Sequence, residues 1–188
     1  MGKRLFVSVD LDGLADGVGS VQAQFEGASG LQFTDPDQAH VTLKFLGDTD
    51  ADRIPTLVDE LEGAVTAAAV DPFEVAFGGL GVFPSLDYIS VVWVGTRSGG
   101  EQLMRLHEAI EDRTIPLGFD PEDHDFTPHA TLARMEHAGG KDLVQNVVES
   151  RDPDVGRVRV ADVRLTESTL TPDGPEYSTV ERFPLEEL

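Results

Sequence analysis

The sequence predicts an α+β fold: a single domain spanning 1–188, built of two lobes, each with an antiparallel sheet flanked by helices. Three observations carry this. The pattern His-x-Thr-Leu occurs twice, at His40-Val41-Thr42-Leu43 and His129-Ala130-Thr131-Leu132, 89 positions apart. Each copy sits in the order strand–helix–motif strand–helix, a weak internal repeat. No stretch rich in Pro, Gly or Ser separates the copies as a linker would. A pseudo-two-fold with motif strands near the centre of each lobe, facing a central cleft, satisfies all three.

Alternation from Arg4 to Leu11 predicts a strand. Asp12 to Phe25 is a weak helix, with Leu14, Val18, Val21 and Phe25 near helical spacing but glycines among them. Leu31 to Thr34 is short and extended, and Asp35-Pro36-Asp37 turns the chain into the first motif strand, His40 to Leu46, ended by Gly47-Asp48. A helix follows from Asp50 through Ala69, with Ile54, Leu57, Val58, Leu61 and Val65 on one stripe. Phe73 to Val82 and Tyr88 to Thr96 are β-rich runs around the turn Pro84-Ser85-Leu86-Asp87. Glu101 to Ile115 is helical, with Leu103, Leu106 and Ile110 inward. An acidic loop, Phe119 to Asp125, precedes the second motif strand, Phe126 to Met135. Lys141 to Ser150 is a helix, and two strands, Val155 to Thr166 and Tyr177 to Phe183, close the chain.

On an extended strand alternate side chains share a face, so His and Thr of each motif point together while Val41, Leu43, Ala130 and Leu132 point to a core. An imidazole moves protons near neutral pH, and a hydroxyl beside it donates to an anionic oxygen. Two such units across a cleft supply a base, an acid and donors for an anionic oxygen.

The surroundings of both motifs carry a family resemblance. His40-Val41-Thr42-Leu43-Lys44-Phe45-Leu46-Gly47 and Phe126-Thr127-Pro128-His129-Ala130-Thr131-Leu132-Ala133-Arg134 resemble the paired signatures of the 2H phosphoesterase superfamily. Within it they are most similar to the RNA 2′,3′-cyclic phosphodiesterases, historically called 2′-5′ RNA ligases. The likeness runs from Arg4-Leu5-Phe6-Val7-Ser8-Val9 to a closing segment of Leu165-Thr166-Glu167-Ser168-Thr169-Leu170, Gly174-Pro175-Glu176-Tyr177 and Phe183-Pro184-Leu185. It implies the bilobal architecture and a metal-independent, cofactor-free hydrolysis of RNA 2′,3′-cyclic phosphate ends, tRNA fragments among them, to 2′-phosphate. His40 and His129 would be catalytic, with Thr42, Thr131 and Arg134 binding the phosphate. The same site run backwards would be a 2′-5′ ligase. Alternatives are a phosphodiesterase on a small cyclic nucleotide or on an ADP-ribose cyclic phosphate, and an RNA-end binding module without turnover. A zinc protein built on the two motif histidines lacks further ligands at plausible spacing.

Periodicity turns Arg134 away from His129, so its contact with phosphate requires a bulge or the strand end. Lys44 shares parity with His40, which takes it to the cleft rim or to open surface, and Phe45 shares the core parity of Val41. Phe126 lies near the strand mouth, where a base could stack. Trp93 reads as core; His107, His124 and His137 lack a Thr partner and read as surface residues. The loop from Asp120 to Asp125 matches no standard calcium motif and reads as solvated charge.

No cysteine occurs, which excludes disulfides, thiol nucleophiles and cysteine metal sites. The start Met1-Gly2-Lys3-Arg4 leads directly into a strand with no signal region, and no apolar run is long enough for a membrane span, so a cytoplasmic, monomeric protein is expected. The net charge is −21, from 35 acidic residues against 14 basic ones, and the only lysines are Lys3, Lys44 and Lys141. Acid spread along the whole chain with so little lysine fits a salt-rich, halophilic cytosol, where self-repulsion is screened. The alternative is an ordinary acidic protein.

Overall fold

The computed structural model describes residues 2–122 and 125–185. Its strands are β1 (Gly2–Asp10), β2 (Leu31–Phe33), β3 (His40–Asp50), β4 (Phe73–Pro84), β5 (Ile89–Ser98), β6 (Ala130–Met135), β7 (Asp154–Val160), β8 (Asp162–Thr171) and β9 (Gly174–Pro184). The α-helices are α1 (Ala15–Ala23), α2 (Ile54–Ala68), α3 (Gly100–Thr114) and α4 (Lys141–Ser150). No described helix is long and apolar enough to cross a membrane.

The fold of the described residues is α+β and antiparallel, with one half of five strands and one of four. One is β7-β4-β5-β6, with β2 on β6; the other is β3-β1-β8-β9. The two predicted sheets are in fact continuous, joined by a single pair, Val41 with Ala130. The motif strands are therefore not central to their lobes. Each is the inner edge of its half, and the two edges meet. Elsewhere β3 and β6 splay apart, and that opens the cleft.

One closing strand divides. The run from Val155 to Thr166 breaks at Ala161, so β7 pairs with β4 in one half and β8 with β1 in the other. Both pieces are apolar enough to read as one strand. The break is fixed only by distant partners, including the Leu185 amide bonded to the Ala161 carbonyl at 2.8 Å.

Helices α2 and α3 pack on each other and cover the β3 half, while α1 and α4 lie on the β4–β7 half. The weak sequence signal of α1 has a steric cause. A Cβ on Gly17 would collide with the Val155 carbonyl, so glycine there lets the helix close on β7. Core residues Val41, Leu43, Leu103, Leu106, Ile110, Ala130 and Leu132 are fully buried between sheet and helices, leaving the other sheet face for the cleft.

Two bulges reorder the motif strands. Against β1, Ser8 pairs with Thr42 but Val7 pairs with Lys44, so Leu43 is an extra residue. Against β5, Trp93 pairs with Thr131 but Val92 pairs with Ala133, so Leu132 is an extra residue at the equivalent place. Each bulge reverses parity beyond the motif. Lys44 is consequently not at the rim but buried at 1% exposure, its ammonium bonded to the Glu111 carboxylate and the Asp120 carbonyl. Phe45, expected in the core, is 50% exposed. A further irregularity and the positive φ of Gly47 carry β3 past its predicted end to Asp50.

Candidate active site

The antiparallel pair Val41–Ala130 fixes the site's geometry. In an ideal sheet, continuing that register one residue each way would set His40 across from Thr131 and Thr42 across from His129. The two histidines would then be diagonal neighbours on one face, about 7–8 Å apart in an ideal sheet and farther where strands splay. That separation leaves room for a phosphoryl group between the rings.

Both histidines are held the same way. His40 donates from Nδ1 to the Gln38 carbonyl at 2.9 Å, and His129 donates from Nδ1 to the Thr127 carbonyl at 2.6 Å, each two residues upstream. A carbonyl on Nδ1 assigns the proton there in the neutral ring, so Nε2 carries the lone pair. Aromatic rings fix each imidazole plane. His40 stacks on Phe6 at 4.9 Å and meets the edge of Tyr177 at 5.1 Å. His129 meets Phe83 at 4.9 Å and Trp93 at 5.7 Å. Trp93, read as core, is thus part of the wall around the second motif, lying flat against Gly81, where any Cβ would strike the indole.

A cleft of about 520 Å³ is lined by His40, Thr42, Thr131 and Arg134, together with Gln38 and Tyr177. His129 stands beyond this lining, on the Phe83–Trp93 side of the motif pair. The bulge at Leu132 brings Arg134 round to the Thr131 side. Its charge bears on both His40 and Tyr177.

Burial lowers the pKa of His40 below 6.5; the Gln38 carbonyl and Asp10 oppose this, and Arg134 adds to it. Asp10 is the cross-strand partner of His40. Its carboxylate is occupied by Arg164 at 2.6 Å and by the Ser8 hydroxyl at 3.1 Å, and Arg164 also reaches Asp12 and Asp162. Burial raises the pKa of Tyr177, against the charges of Arg134 and Arg4.

Several residues behave differently from their sequence reading. His107 is buried, not a surface residue: its Nδ1 bonds to the Leu43 carbonyl at 2.7 Å, and its ring stacks on Phe126 at 4.3 Å. Phe126 is thereby engaged with α3. His137 is exposed, in keeping with its reading as a surface residue, and caps the short turn at Ala138 by accepting from the Gly139 amide. His124 lies outside the described residues, as does part of the loop from Asp120 to Asp125. Among the described residues, no group of three or more His, Asp and Glu side chains is placed to hold a metal. Sequence reasoning missed Gln38 and Tyr177 as site residues. Gln38 accepts from the Tyr177 amide at 2.9 Å and donates to the Pro175 carbonyl at 3.1 Å, fastening the β8–β9 hairpin over the cleft. Tyr177 stood in the closing segment, but only the fold shows that this segment returns to His40.

The 2′-5′ RNA ligase superfamily model matches residues 14–170. A protein of Methanothermobacter thermautotrophicus named RNA 2′,3′-cyclic phosphodiesterase is 36% identical over 185 residues, covering 97% of this chain and 98% of its own.

This chain belongs to the 2′-5′ RNA ligase superfamily.

A relative of the same name from Archaeoglobus fulgidus is 32% identical over 96% of this chain and 99% of its own. Among solved structures, the TT0787 protein of Thermus thermophilus aligns with a TM-score of 0.78 and 26% identity over 97% of both chains. E. coli LigT complexed with 3′-AMP shares the superfamily fold with a TM-score of 0.81 and 22% identity over the whole of both chains.

Proposed function

We propose that this superfamily member is a metal-independent RNA 2′,3′-cyclic phosphodiesterase that leaves a 2′-phosphate. The observation that supports it most is the strand pair Val41–Ala130, which joins the two motifs at their centres. In the proposed reaction one imidazole takes a proton from water as it attacks phosphorus. The bond from phosphorus to the 3′-oxygen breaks, and the other imidazole protonates that oxygen. Thr42, Thr131 and Arg134 hold the non-bridging oxygens, where charge accumulates in the transition state. The carbonyls on Nδ1 keep each Nε2 available for this exchange. The relatives' shared name supports the substrate class.

The test is incubation with a short RNA ending in a 2′,3′-cyclic phosphate, with the product's phosphate position assigned. A 2′-phosphate formed in excess chelator is expected. Product formed only after a metal is restored would overturn the metal-independent route, and a 3′-phosphate would overturn the regiochemistry. Replacing His40 or His129 by Ala is expected to lower turnover by roughly 10²–10⁴, the range for losing a general acid or base. The double variant should be little worse than either, because groups that act as a unit are not additive.

A further inference from the structure

The exposed Phe45 is unexplained by the chemistry above. It is a large aromatic on a motif strand, half exposed where the other apolar residues of β3 and β6 are buried or partly buried. The register places it on the reactive face. Phe6, Ser8 and Asp10 alternate along one side of β1, and their partners in β3 are Phe45, Thr42 and His40. Arg4 continues the same side of β1, and its guanidinium lies over the Phe45 ring at 5.3 Å from the centroid. Arg4 also bears on Tyr177, which touches His40. An aromatic and cationic strip therefore runs from His40 through Phe6 to Phe45 and Arg4. Among the described residues β3 pairs with β6 only at Val41, so no β6 residue is paired beside Phe45, which lies beyond the lining of the cleft and is half exposed.

Spacing says which part of a nucleic acid would reach it. Five residues of bulged strand separate His40 from Phe45, about 13–16 Å at 3.3 Å per residue. A terminal nucleotide whose phosphate sits at His40 is too short to place its own base there. The next base along the chain is not. We propose that Phe45 and Arg4 form a stacking subsite for the second base from the cyclic phosphate end, so that the protein prefers oligonucleotide ends to cyclic mononucleotides. This deepens the proposed phosphodiesterase reading and rests on it. Stacking suits a protein of charge −21, because it binds RNA through a base face rather than through a phosphate-binding basic surface. The occupation of the equivalent position in the other motif fits this. Arg134, five residues after His129, is brought by the matching bulge to the Thr131 face, while Phe45, five after His40, is brought to the Thr42 face.

The experiment compares kcat/KM for a 2′,3′-cyclic mononucleotide, a dinucleotide with the same cyclic end, and that dinucleotide made abasic at its second position. The natural protein is expected to favour the intact dinucleotide over both others by roughly five- to a hundredfold, the factor a single base–aromatic stack supplies. In Phe45→Ala that preference should collapse toward unity, with the change carried by KM; Phe45→Trp should keep it. Equal rates on all three substrates, or a preference that survives both Phe45→Ala and the abasic change, would overturn the subsite. The abasic comparison needs no variant and stands even if Phe45→Ala folds poorly. Failure to open any cyclic end would instead overturn the functional reading.

Discussion

At the scale of single residues, His40 sets a condition on both stability and chemistry. Its folded pKa lies below 6.5, chiefly because burial disfavours the charged ring. The unfolded chain takes up a proton near 6.5, and the folded chain resists it. Below pH 6.5 the unfolded state therefore binds more protons, and stability falls with pH until the folded pKa is passed, after which the loss is complete. His40→Gln removes this difference while keeping a polar side chain. Melting temperatures measured from pH 8 to 5 at fixed salt should fall less steeply for His40→Gln than for the natural protein. Parallel curves would mean that the folded ring charges as easily as a free one. Carboxylates titrate over part of the same window, but they are common to both proteins and cancel in the difference. Asp10 works against burial here, and its bonds to Arg164 and Ser8 fix where that opposing charge stands.

At the scale of elements, α3 holds the motifs in register. His107 and Glu111 are one turn apart and share a face. His107 bonds to Leu43 at the first bulge and stacks on Phe126, which leads to the second motif. Glu111 pairs with the buried Lys44 ammonium and accepts from the Glu122 amide at 3.3 Å. Removing one member of a buried ion pair costs about 3–5 kcal/mol, because the partner's charge is left without compensation. Lys44→Ala is expected to lose about that much in urea unfolding. The double change Lys44→Met with Glu111→Leu should recover part of it, since apolar replacement of both charges is often tolerated. A Lys44→Ala loss under about 1 kcal/mol would place this pair with weak surface bridges. These contacts also explain what the sequence left unread. The strand-face alternation within each motif, the place of His40, Thr42 and Thr131 at the cleft and the span of α4 were legible, because they depend on local period and on a repeated pattern. Lys44, Phe45 and Arg134 were not, because one inserted leucine per strand reverses every later parity. A bulge is set by the partner strand, and no local period announces it. The edge position of β3 and β6 and the division of β7 from β8 were hidden for the same reason: strand order is decided by distant pairing.

At the scale of the whole molecule, charge is the dominant feature. At −21 the surface repels itself and would repel a polyanion such as RNA, yet the cleft keeps Arg134 and the strip keeps Arg4. Elsewhere cations are held in close contacts, such as Arg164 to Asp10 at 2.6 Å and Arg97 to Asp152 at 2.8 Å. The two kinds of interaction respond differently to salt. Screening extends to about 10 Å at 0.1 M and about 3 Å at 1 M, so molar salt removes repulsion across the surface while close pairs, at their own contact distance, keep much of their attraction. A protein that binds nucleic acid through many phosphate contacts loses affinity steeply as salt rises, because it gives up counterion release. Here the long-range field opposes a polyanion, and among the described residues lining the cleft the cation is Arg134. Both melting temperature and kcat/KM on a cyclic-phosphate RNA are therefore expected to rise as KCl goes from about 0.1 M toward molar levels. The measurement is one KCl titration of both quantities on a single preparation. Greatest stability and activity at low salt would defeat the reading of this surface as adapted to concentrated salt, and would leave the two-histidine site untouched. A rise in stability with a fall in kcat/KM would separate the two effects: it would show that self-repulsion limits the fold, while attraction by Arg134 and Arg4 outweighs the distant acidic field at the cleft.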